Sequence, residues 1–237
     1  MTFCQLCGIK ALFFPHAISA ELMKEFNLKV ELFGTENIPK KGNVTITSNH
    51  PLGGMDAVGF ISKFGEYRKD YKIIVNDVLL GFENLKPVFT GVNKLGKTSE
   101  ESHKEINKLF ESDNATVIFP SGMVSRKTNG KIEDLKWKRT FIFKAKENNS
   151  PIVPVFIDGG LSNFFYRLSN FRRKIGVKAN IEMLFLSNEQ FKLKGQTIKI
   201  IVGKPIYPKD FDKNKSDFEL AQDVKKEVYK LKRALND

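Results

Sequence analysis

Short apolar runs alternate with amphipathic stretches along most of the chain. Runs rich in β-branched and aromatic residues predict strands at 43–48, 72–76, 115–119, 152–157, 180–186 and 197–202. Apolar residues at helical spacing predict helices at 56–65, 99–112 and 138–148. A last helix is predicted to begin at Ser216, where Glu219 completes a capping-box pattern. This alternation predicts an α/β fold with a mixed, largely parallel sheet flanked by helices.

The N-terminal part of the chain has a different pattern. Within residues 9–33, Leu, Phe and Ile recur at roughly helical spacing among Lys and Glu, and Pro15 interrupts the pattern. We therefore predict an N-terminal helical segment over residues 1–30 and an α/β domain over residues 31–237. The segment could lie on a membrane surface or pack on the domain's own core, and the pattern fits both. No apolar run reaches the roughly 18–20 residues that span a bilayer, and we expect no signal peptide.

Composition restricts the partners. Lys and Arg number 39 against 27 Asp and Glu, which gives a net charge of +12 and favours anionic partners such as lipids or phosphorylated molecules. Without an arginine-rich tract or a nucleic-acid motif, we expect no nucleic-acid partner. Cys4 and Cys7 have redox or zinc spacing but lack a second pair, so we interpret them as buried or interfacial thiols in a reducing cytoplasm. The three histidines lack ligand spacing, and we predict no metal and no cofactor.

The stretch ITSNHPLGGMDAVGF, residues 46–60, holds the main candidate for chemistry. His50 and Asp56 lie between a predicted strand and a predicted helix, where ligands bind in α/β sheets. On one continuous helix the two side chains would diverge, but the glycines between them allow the chain to fold back. The pair would then be a general base with its orienting carboxylate. Alternatively, His50 caps a turn and Asp56 caps the helix.

Other strand ends add polar groups. Residues 117–127 run from a predicted strand into Ser121-Gly122 and then Arg126, which offers backbone amides and a guanidinium to an anion. Residues 87–94 contain an apolar run that ends at a glycine and is followed by Lys94, a further cation. Each segment also reads as an ordinary strand terminus. Together they predict a base, cations and exposed amides at one edge of the sheet.

Four segments, in order, resemble the motifs of the glycerolipid (1-acylglycerol-3-phosphate or lysophospholipid) acyltransferase family. Asn49-His50 with Asp56 resembles Asn-His-(x)4-Asp, and Phe89 to Lys94 resembles the second motif. Residues 119–122 resemble the start of Phe-Pro-Glu-Gly-Thr-Arg-Ser, and residues 152–155 resemble a Val-Pro-Val strand. The layout looks closest to a bacterial branch that includes hemolysin-type proteins and O-acyltransferases of amino-acid lipids.

The chain also departs from the family pattern. Five residues instead of four separate His50 from Asp56, Ser121 stands where the family has Glu, and Arg126 follows a serine that it usually precedes. These differences concern the acceptor more than the reaction type.

The resemblance implies a glycerol-3-phosphate acyltransferase-like fold and transfer of a fatty acyl group from acyl-CoA or acyl-carrier protein to a lyso-lipid hydroxyl. It implies His50 and Asp56 as catalytic residues, and Lys94, Ser121, Gly122 and Arg126 as contacts to a phosphate, head group or oxyanion. The expected acceptor is lysophosphatidate, another lysophospholipid or a mono-acylated amino-acid lipid. The enzyme would be cytoplasmic and peripheral on the inner face of the cell membrane, at an anionic surface. The alternatives are an acyl thioesterase using the same pair and a non-catalytic binder of anionic membranes.

Overall fold

The structure is a computed structural model that describes residues 15–76, 83–92 and 100–235. Its helices are α1 (Pro15–Glu25), α2 (Gly54–Tyr67), α3 (Glu100–Glu111), α4 (Thr140–Glu147), α5 (Asn163–Lys174), α6 (Leu186–Phe191) and α7 (Asp217–Lys230). Its strands are β1 (Lys29–Phe33), β2 (Val44–Ser48), β3 (Tyr71–Asn76), β4 (Phe89–Val92), β5 (Ala115–Ile118), β6 (Arg126–Thr128), β7 (Lys131–Glu133), β8 (Ile152–Ile157) and β9 (Thr197–Val202). Short 3-10 turns cover Thr35–Asn37, Glu83–Val88, Ile181–Phe185, Pro208–Asp210 and Leu231–Leu235.

Seven of the strands form one mixed sheet in the order β1-β9-β8-β2-β5-β3-β4. The five strands from β8 to β4 run parallel, whereas β9 pairs antiparallel with β8 and parallel with β1. The predicted mixed, largely parallel sheet is therefore confirmed. β6 and β7 form a separate antiparallel hairpin.

The sheet is covered on both faces because its inner strands alternate apolar residues toward each side. Val153 and Val155 of β8 join the core formed with α1 and α2, whereas Ile152 and Phe156 join a second core with α4 and α7. Every residue of β2 is buried, as the position of β2 in the middle of the sheet requires. The predicted capping box at Ser216 and Glu219 is present at the start of α7.

Chain order reverses around β2. The chain passes from β2 to β3, returns to insert β5 between them, and later places β8 on the other side of β2. The carboxyl ends of β8, β2 and β5 therefore lie side by side at one edge, which is the usual ligand-binding position of such sheets. The loops that follow these three strands build the candidate site.

The strand predicted at 180–186 is wrong. This stretch forms the 3-10 turn and runs directly into α6. The alternating apolar pattern suggested a strand, but the amide of Met183 bonds to the nearby carbonyl of Asn180, and Glu182 between them is fully buried. A local turn with a buried carboxylate therefore replaces the predicted sheet pairing.

Of the N-terminal segment predicted over residues 1–30, residues 1–14 lie outside the described part of the chain. From Pro15 the chain forms α1, which packs against α2 and buries Ser19 and Met23. The chain then enters the sheet as β1 at Lys29. Within the described part, α1 therefore packs on the domain's own core.

Candidate active site

The loop after β2 is fixed at its start by Asn49. The Asn49 side chain donates to the carbonyl of Ile157 (2.8 Å) and accepts from the amide of Ile157 (2.7 Å), so it bridges the ends of β2 and β8. At the other end of the loop, Gly53 caps α2 with a φ of 70°, a left-handed value that favours glycine. A short, pinned loop with a sharp turn thus leads from β2 into α2.

This loop brings His50 and Asp56 together. Asp56 lies in the first turn of α2, and its Oδ2 is 2.9 Å from Nδ1 of His50. The same oxygen accepts the backbone N–H of Leu52 at 2.9 Å. With Nδ1 donating to the carboxylate, the second ring nitrogen, Nε2, carries a lone pair. The pair therefore has the arrangement of a general base and its orienting carboxylate, and its catalytic role stays a prediction.

The Asp56 carboxylate is fully buried. Its second oxygen, Oδ1, has no hydrogen-bond donor within reach among the described residues. Burial raises the pKa of the Asp56 carboxyl above its ordinary value, and the bonds from His50 and Leu52 oppose that shift. A positively charged partner stabilises a negative charge on this buried carboxylate, and the imidazole can become positively charged.

The imidazole of His50 is held on one face and partly open. Its ring stacks on Phe119 with a centroid separation of 4.5 Å and an interplanar angle of 30°. Its side chain keeps 19% of its exposure. The ring is thus oriented by a carboxylate and an aromatic face while part of it stays accessible to a reactant.

Asp134 joins the two loops of the site, and sequence reasoning missed it. Its carboxylate accepts the backbone N–H of His50 (3.1 Å), the hydroxyl of Ser125 (2.5 Å) and the indole N–H of Trp137 (2.8 Å). The amide of Ser125 also donates to the carbonyl of His50 at 2.8 Å. Asp134 therefore positions the backbone that carries the imidazole. No motif in the sequence distinguishes this aspartate from surface acids.

The turn after β5 is closed on itself. Ser121 donates its hydroxyl to the carbonyl of Met123 (2.6 Å) and accepts the amide of Met123 (3.3 Å). The amide of Gly122, at a φ of 63°, donates to the carbonyl of Phe119. The hydroxyl and the amides assigned to an anion thus bond within their own turn in this structure. Their proposed contacts stay predictions.

Arg126 does not lie on an open surface. It is 3% exposed, and its guanidinium donates to Glu182 at 2.8 Å and to the carbonyl of Val124 at 2.6 Å. Glu182 also accepts two bonds from Arg172, so one buried carboxylate joins two guanidinium groups. An anionic substrate would have to displace this ion pair to reach Arg126. The substrate contact assigned to Arg126 has no support from this geometry.

Two lysines, Lys94 and Lys138, are further candidates for contact with an anion. Lys94, a predicted head-group contact, lies outside the described residues, as do Cys4 and Cys7. Lys138, which the sequence did not single out, is exposed beside the turn after β5, where a methyl group added to Gly122 would be 3.4 Å from its Nζ.

In the described ranges we find no cluster of three or more histidine, cysteine or acidic residues suited to a metal. No described helix is long and apolar enough to cross a bilayer.

Comparison with known proteins identifies relatives over most of the chain. A sequence model of a family described as acyltransferase matches residues 14–237. A lyso-glycine lipid O-acyltransferase of Bacteroides thetaiotaomicron is 42% identical over 210 residues, which cover 88% of this chain and 77% of that protein. A protein of the same name from Phocaeicola vulgatus is 41% identical over 210 residues, or 88% of this chain and 75% of the relative.

A more distant relative and one solved structure point to the same architecture. A 1-acyl-sn-glycerol-3-phosphate acyltransferase of Borreliella burgdorferi is 28% identical over 163 residues, which cover 66% of this chain and 62% of that protein. The crystal structure of the 1-acyl-sn-glycerophosphate acyltransferase PlsC from Thermotoga maritima superposes with a TM-score of 0.57 at 18% identity. The superposition covers 92% of this chain and 78% of the other, and it shows a shared fold.

Proposed function

The chain belongs to the acyltransferase family, and from that premise we propose that it transfers a fatty acyl group from a thioester donor to the hydroxyl of a lyso-lipid. The observation that carries the proposal is the His50–Asp56 pair, in a chain 42% identical to a lyso-glycine lipid O-acyltransferase. A mono-acylated glycine lipid is the first acceptor to test. Lysophosphatidate is the second, since a more distant relative bears that activity in its name.

We propose that His50 is the general base. Its Nε2 takes the proton from the acceptor hydroxyl while the hydroxyl oxygen forms a bond to the thioester carbonyl carbon. The tetrahedral intermediate then breaks the carbon–sulfur bond, and the departing thiolate takes the proton from the imidazolium. The products are the ester and the free thiol. Asp56 holds the tautomer with hydrogen on Nδ1 and stabilises the imidazolium during the transfer.

Because a thioester is an activated acyl group, the protein need only hold both reactants and remove one proton, and we propose no cofactor. Either acyl-CoA or acyl-carrier protein fits as donor, since both are anionic and the chain carries a charge of +12. Lys138, beside the turn after β5, is the described cation that we assign to the anionic part of a reactant. We propose that the enzyme works at the inner face of the cell membrane as a peripheral protein.

The test is a matrix of purified protein with two donors, acyl-CoA and acyl-carrier protein, and four acceptors: lyso-glycine lipid, lysophosphatidate, lysophosphatidylethanolamine and water alone. We expect a diacyl product with at least one lyso-lipid and little free fatty acid. Fatty acid released at the same rate with and without acceptors would contradict transfer and indicate a thioesterase. Absence of acyl transfer with every donor and acceptor would also contradict the proposal.

The role of His50 is tested by His50→Ala in the same assay. We expect a loss of about 10²–10⁴-fold in transfer rate, the range that a general base supplies. His103→Ala, which changes a histidine of α3, is the matched control. An unfolding curve for each variant separates a lost base from a lost fold. Wild-type rates in His50→Ala would contradict the assignment.

A further inference from the structure

A helical cap covers one side of the candidate site. We use this name for residues 163–191, which comprise α5, the 3-10 turn Ile181–Phe185 and α6. The helical cap follows β8 at the same sheet edge as His50 and returns to the sheet through β9. Its α6 touches the loop that carries His50, since a methyl group added to Gly53 would lie 3.1 Å from the side chain of Leu186.

The helical cap is unusually apolar on its outside. More than half of the large apolar side chains that are exposed in the described part of the chain belong to it. Leu184 is 82% exposed, Phe191 65%, Phe171 60% and Ile175 56%. A concentration of exposed apolar side chains in one segment is typical of a surface that contacts a partner. We therefore expect the outer surface of the helical cap to contact a partner that offers an apolar environment.

The charges on the same segment all have one sign at the surface. Within the helical cap the exposed charged residues are basic without exception: Arg167, Arg173, Lys174 and Lys178. Two exposed lysines, Lys192 and Lys194, follow it directly, and Lys192 pairs with Glu189. The two acids of the segment, Glu182 and Glu189, are buried and bonded internally. On α7, by contrast, acids and lysines alternate and pair with one another. The partner of the helical cap should thus be negatively charged as well as apolar.

We propose that the helical cap is the surface through which this protein docks on an anionic lipid bilayer. The apolar side chains enter the region between head groups and acyl chains, and the basic side chains meet lipid phosphates. A second copy of the chain fits less well, because two copies joined cap to cap would bring like charges together. The inference rests on the proposed function only in that a lyso-lipid acceptor has to pass from a membrane to His50.

The arrangement explains how the acceptor would reach the site. Leu186 lies against the loop that carries His50, while Leu184, two residues earlier, is almost fully exposed. A lyso-lipid that leaves the bilayer at the helical cap is therefore close to the imidazole from the start. The cap is held in place from inside by Glu182, which bonds to Arg126 of the hairpin beside the site.

The test is flotation of the full chain with vesicles of phosphatidylcholine and phosphatidylglycerol in equal parts, and with vesicles of phosphatidylcholine alone. We expect binding to the anionic vesicles and at least about tenfold weaker binding to the neutral ones. The double variant Phe171→Ser, Leu184→Ser should bind the anionic vesicles at least about tenfold more weakly, because it removes two apolar side chains that would be buried in the lipid. The double variant Arg173→Glu, Lys174→Glu should weaken binding in the same direction.

The matched control is Phe143→Ser, which removes a phenylalanine 51% exposed on α4. We expect it to bind as the wild type does, and all variants should keep the wild-type unfolding midpoint because the altered side chains are exposed. Unchanged vesicle binding by Phe171→Ser, Leu184→Ser would overturn the proposal and assign any binding to another segment, such as residues 1–30. A change in molecular mass without a change in vesicle binding would overturn it in favour of self-association.

Failure of this inference can be told apart from failure of the proposed function. Wild-type protein that acylates detergent-dispersed lyso-lipid but does not float with anionic vesicles would contradict docking and leave the transferase assignment intact. Wild-type protein that floats with vesicles but transfers no acyl group would contradict the transferase assignment and leave docking intact.

Discussion

Asp56 and Glu182 are both carboxylates with fully buried side chains, but their surroundings are opposite. One oxygen of Asp56 takes two hydrogen bonds, and no described donor reaches the other. Both oxygens of Glu182 are bonded, by the guanidinium groups of Arg126 and Arg172 and by the hydroxyl of Ser169. Burial raises the pKa of Asp56, whereas at Glu182 the effect of burial is outweighed and the pKa is lowered.

The difference predicts different roles for the two carboxylates. An incompletely satisfied acid beside a single imidazole keeps its charge at a cost, and it gains when the imidazole becomes positive. An acid joined to two guanidinium groups is already neutralised and fixes the elements that carry its partners. We therefore predict a catalytic role for Asp56 and a structural role for Glu182, which holds the helical cap beside the site. The two assignments predict different outcomes when each acid is changed to its amide.

The largest expected effect is on catalysis by Asp56→Asn. We expect the transfer rate to fall by about 10²–10⁴-fold, because an amide can neither hold the tautomer reliably nor stabilise the imidazolium. Stability should not fall. A raised pKa in the folded state means that the ionised carboxylate costs stability at neutral pH, fully so above that raised pKa, and the amide removes the charge.

Transfer rates and urea unfolding curves check both parts of this prediction. Asp158→Asn, which changes an acid directly after β8, is the matched control and should keep near-wild-type values. A rate for Asp56→Asn within tenfold of the wild type would show that the imidazole works without its carboxylate.

The next effect in size is on stability, by Glu182→Gln. Removing the charge leaves two buried guanidinium groups without a counter-ion, which should cost about 3 kcal/mol of unfolding free energy at neutral pH. Glu227→Gln, in an exposed pair with Lys230, should cost less than about 0.5 kcal/mol. Denaturant titrations of the two variants against the wild type measure this. Equal stability of both variants would reject the structural role.

The pH dependence of the Glu182 effect has a definite sign. Because the pKa of Glu182 is lowered in the folded state, its stabilisation is complete above the ordinary value of 4.5 and is lost as pH falls through the lower folded value. The stability gap between the wild type and Glu182→Gln should therefore be full at neutral pH and close below pH 4.5. A gap that widened on acidification would contradict this account.

The smallest effect is expected from Asp134→Asn, because the surroundings of Asp134 share one feature with those of Asp56 and another with those of Glu182. Burial raises its pKa, as at Asp56, yet three donors bind its carboxylate, as at Glu182. An asparagine cannot accept from all three, so one donor loses its partner at a cost of about 1–2 kcal/mol. We expect transfer to slow by less than about tenfold, since the imidazole keeps Asp56.

Unfolding curves and kcat measured on Asp134→Asn check these values. Combining it with Trp137→Phe removes the donor and the acceptor together, and the double variant should lose less stability than the sum of the single changes. A fall in kcat as large as that of Asp56→Asn would indicate a catalytic role for Asp134.

The site was only partly visible in the sequence. His50 and Asp56 stand in one short segment, so their residue types and the glycines between them predicted a contact from local geometry. Asp134 is 84 residues from the His50 amide that it binds, and Glu182 is 56 residues from Arg126. No local sequence pattern reveals contacts between residues so far apart in the chain. For the same reason, the sequence assigned Arg126 to a ligand when its nearest anion is a glutamate of the same chain.

What the sequence determined by itself is the α/β class, the mixed sheet, the capping box of α7 and the loop that can join an imidazole to a carboxylate, because each depends on periodicity or on neighbours a few residues apart. Only the tertiary structure decided that residues 180–186 form a turn and not a strand, how completely each buried acid is bonded, and that exposed apolar and basic side chains are concentrated in the helical cap. Those outcomes depend on which distant groups share a buried space, and burial sets both the energy of a charge and the availability of its partners.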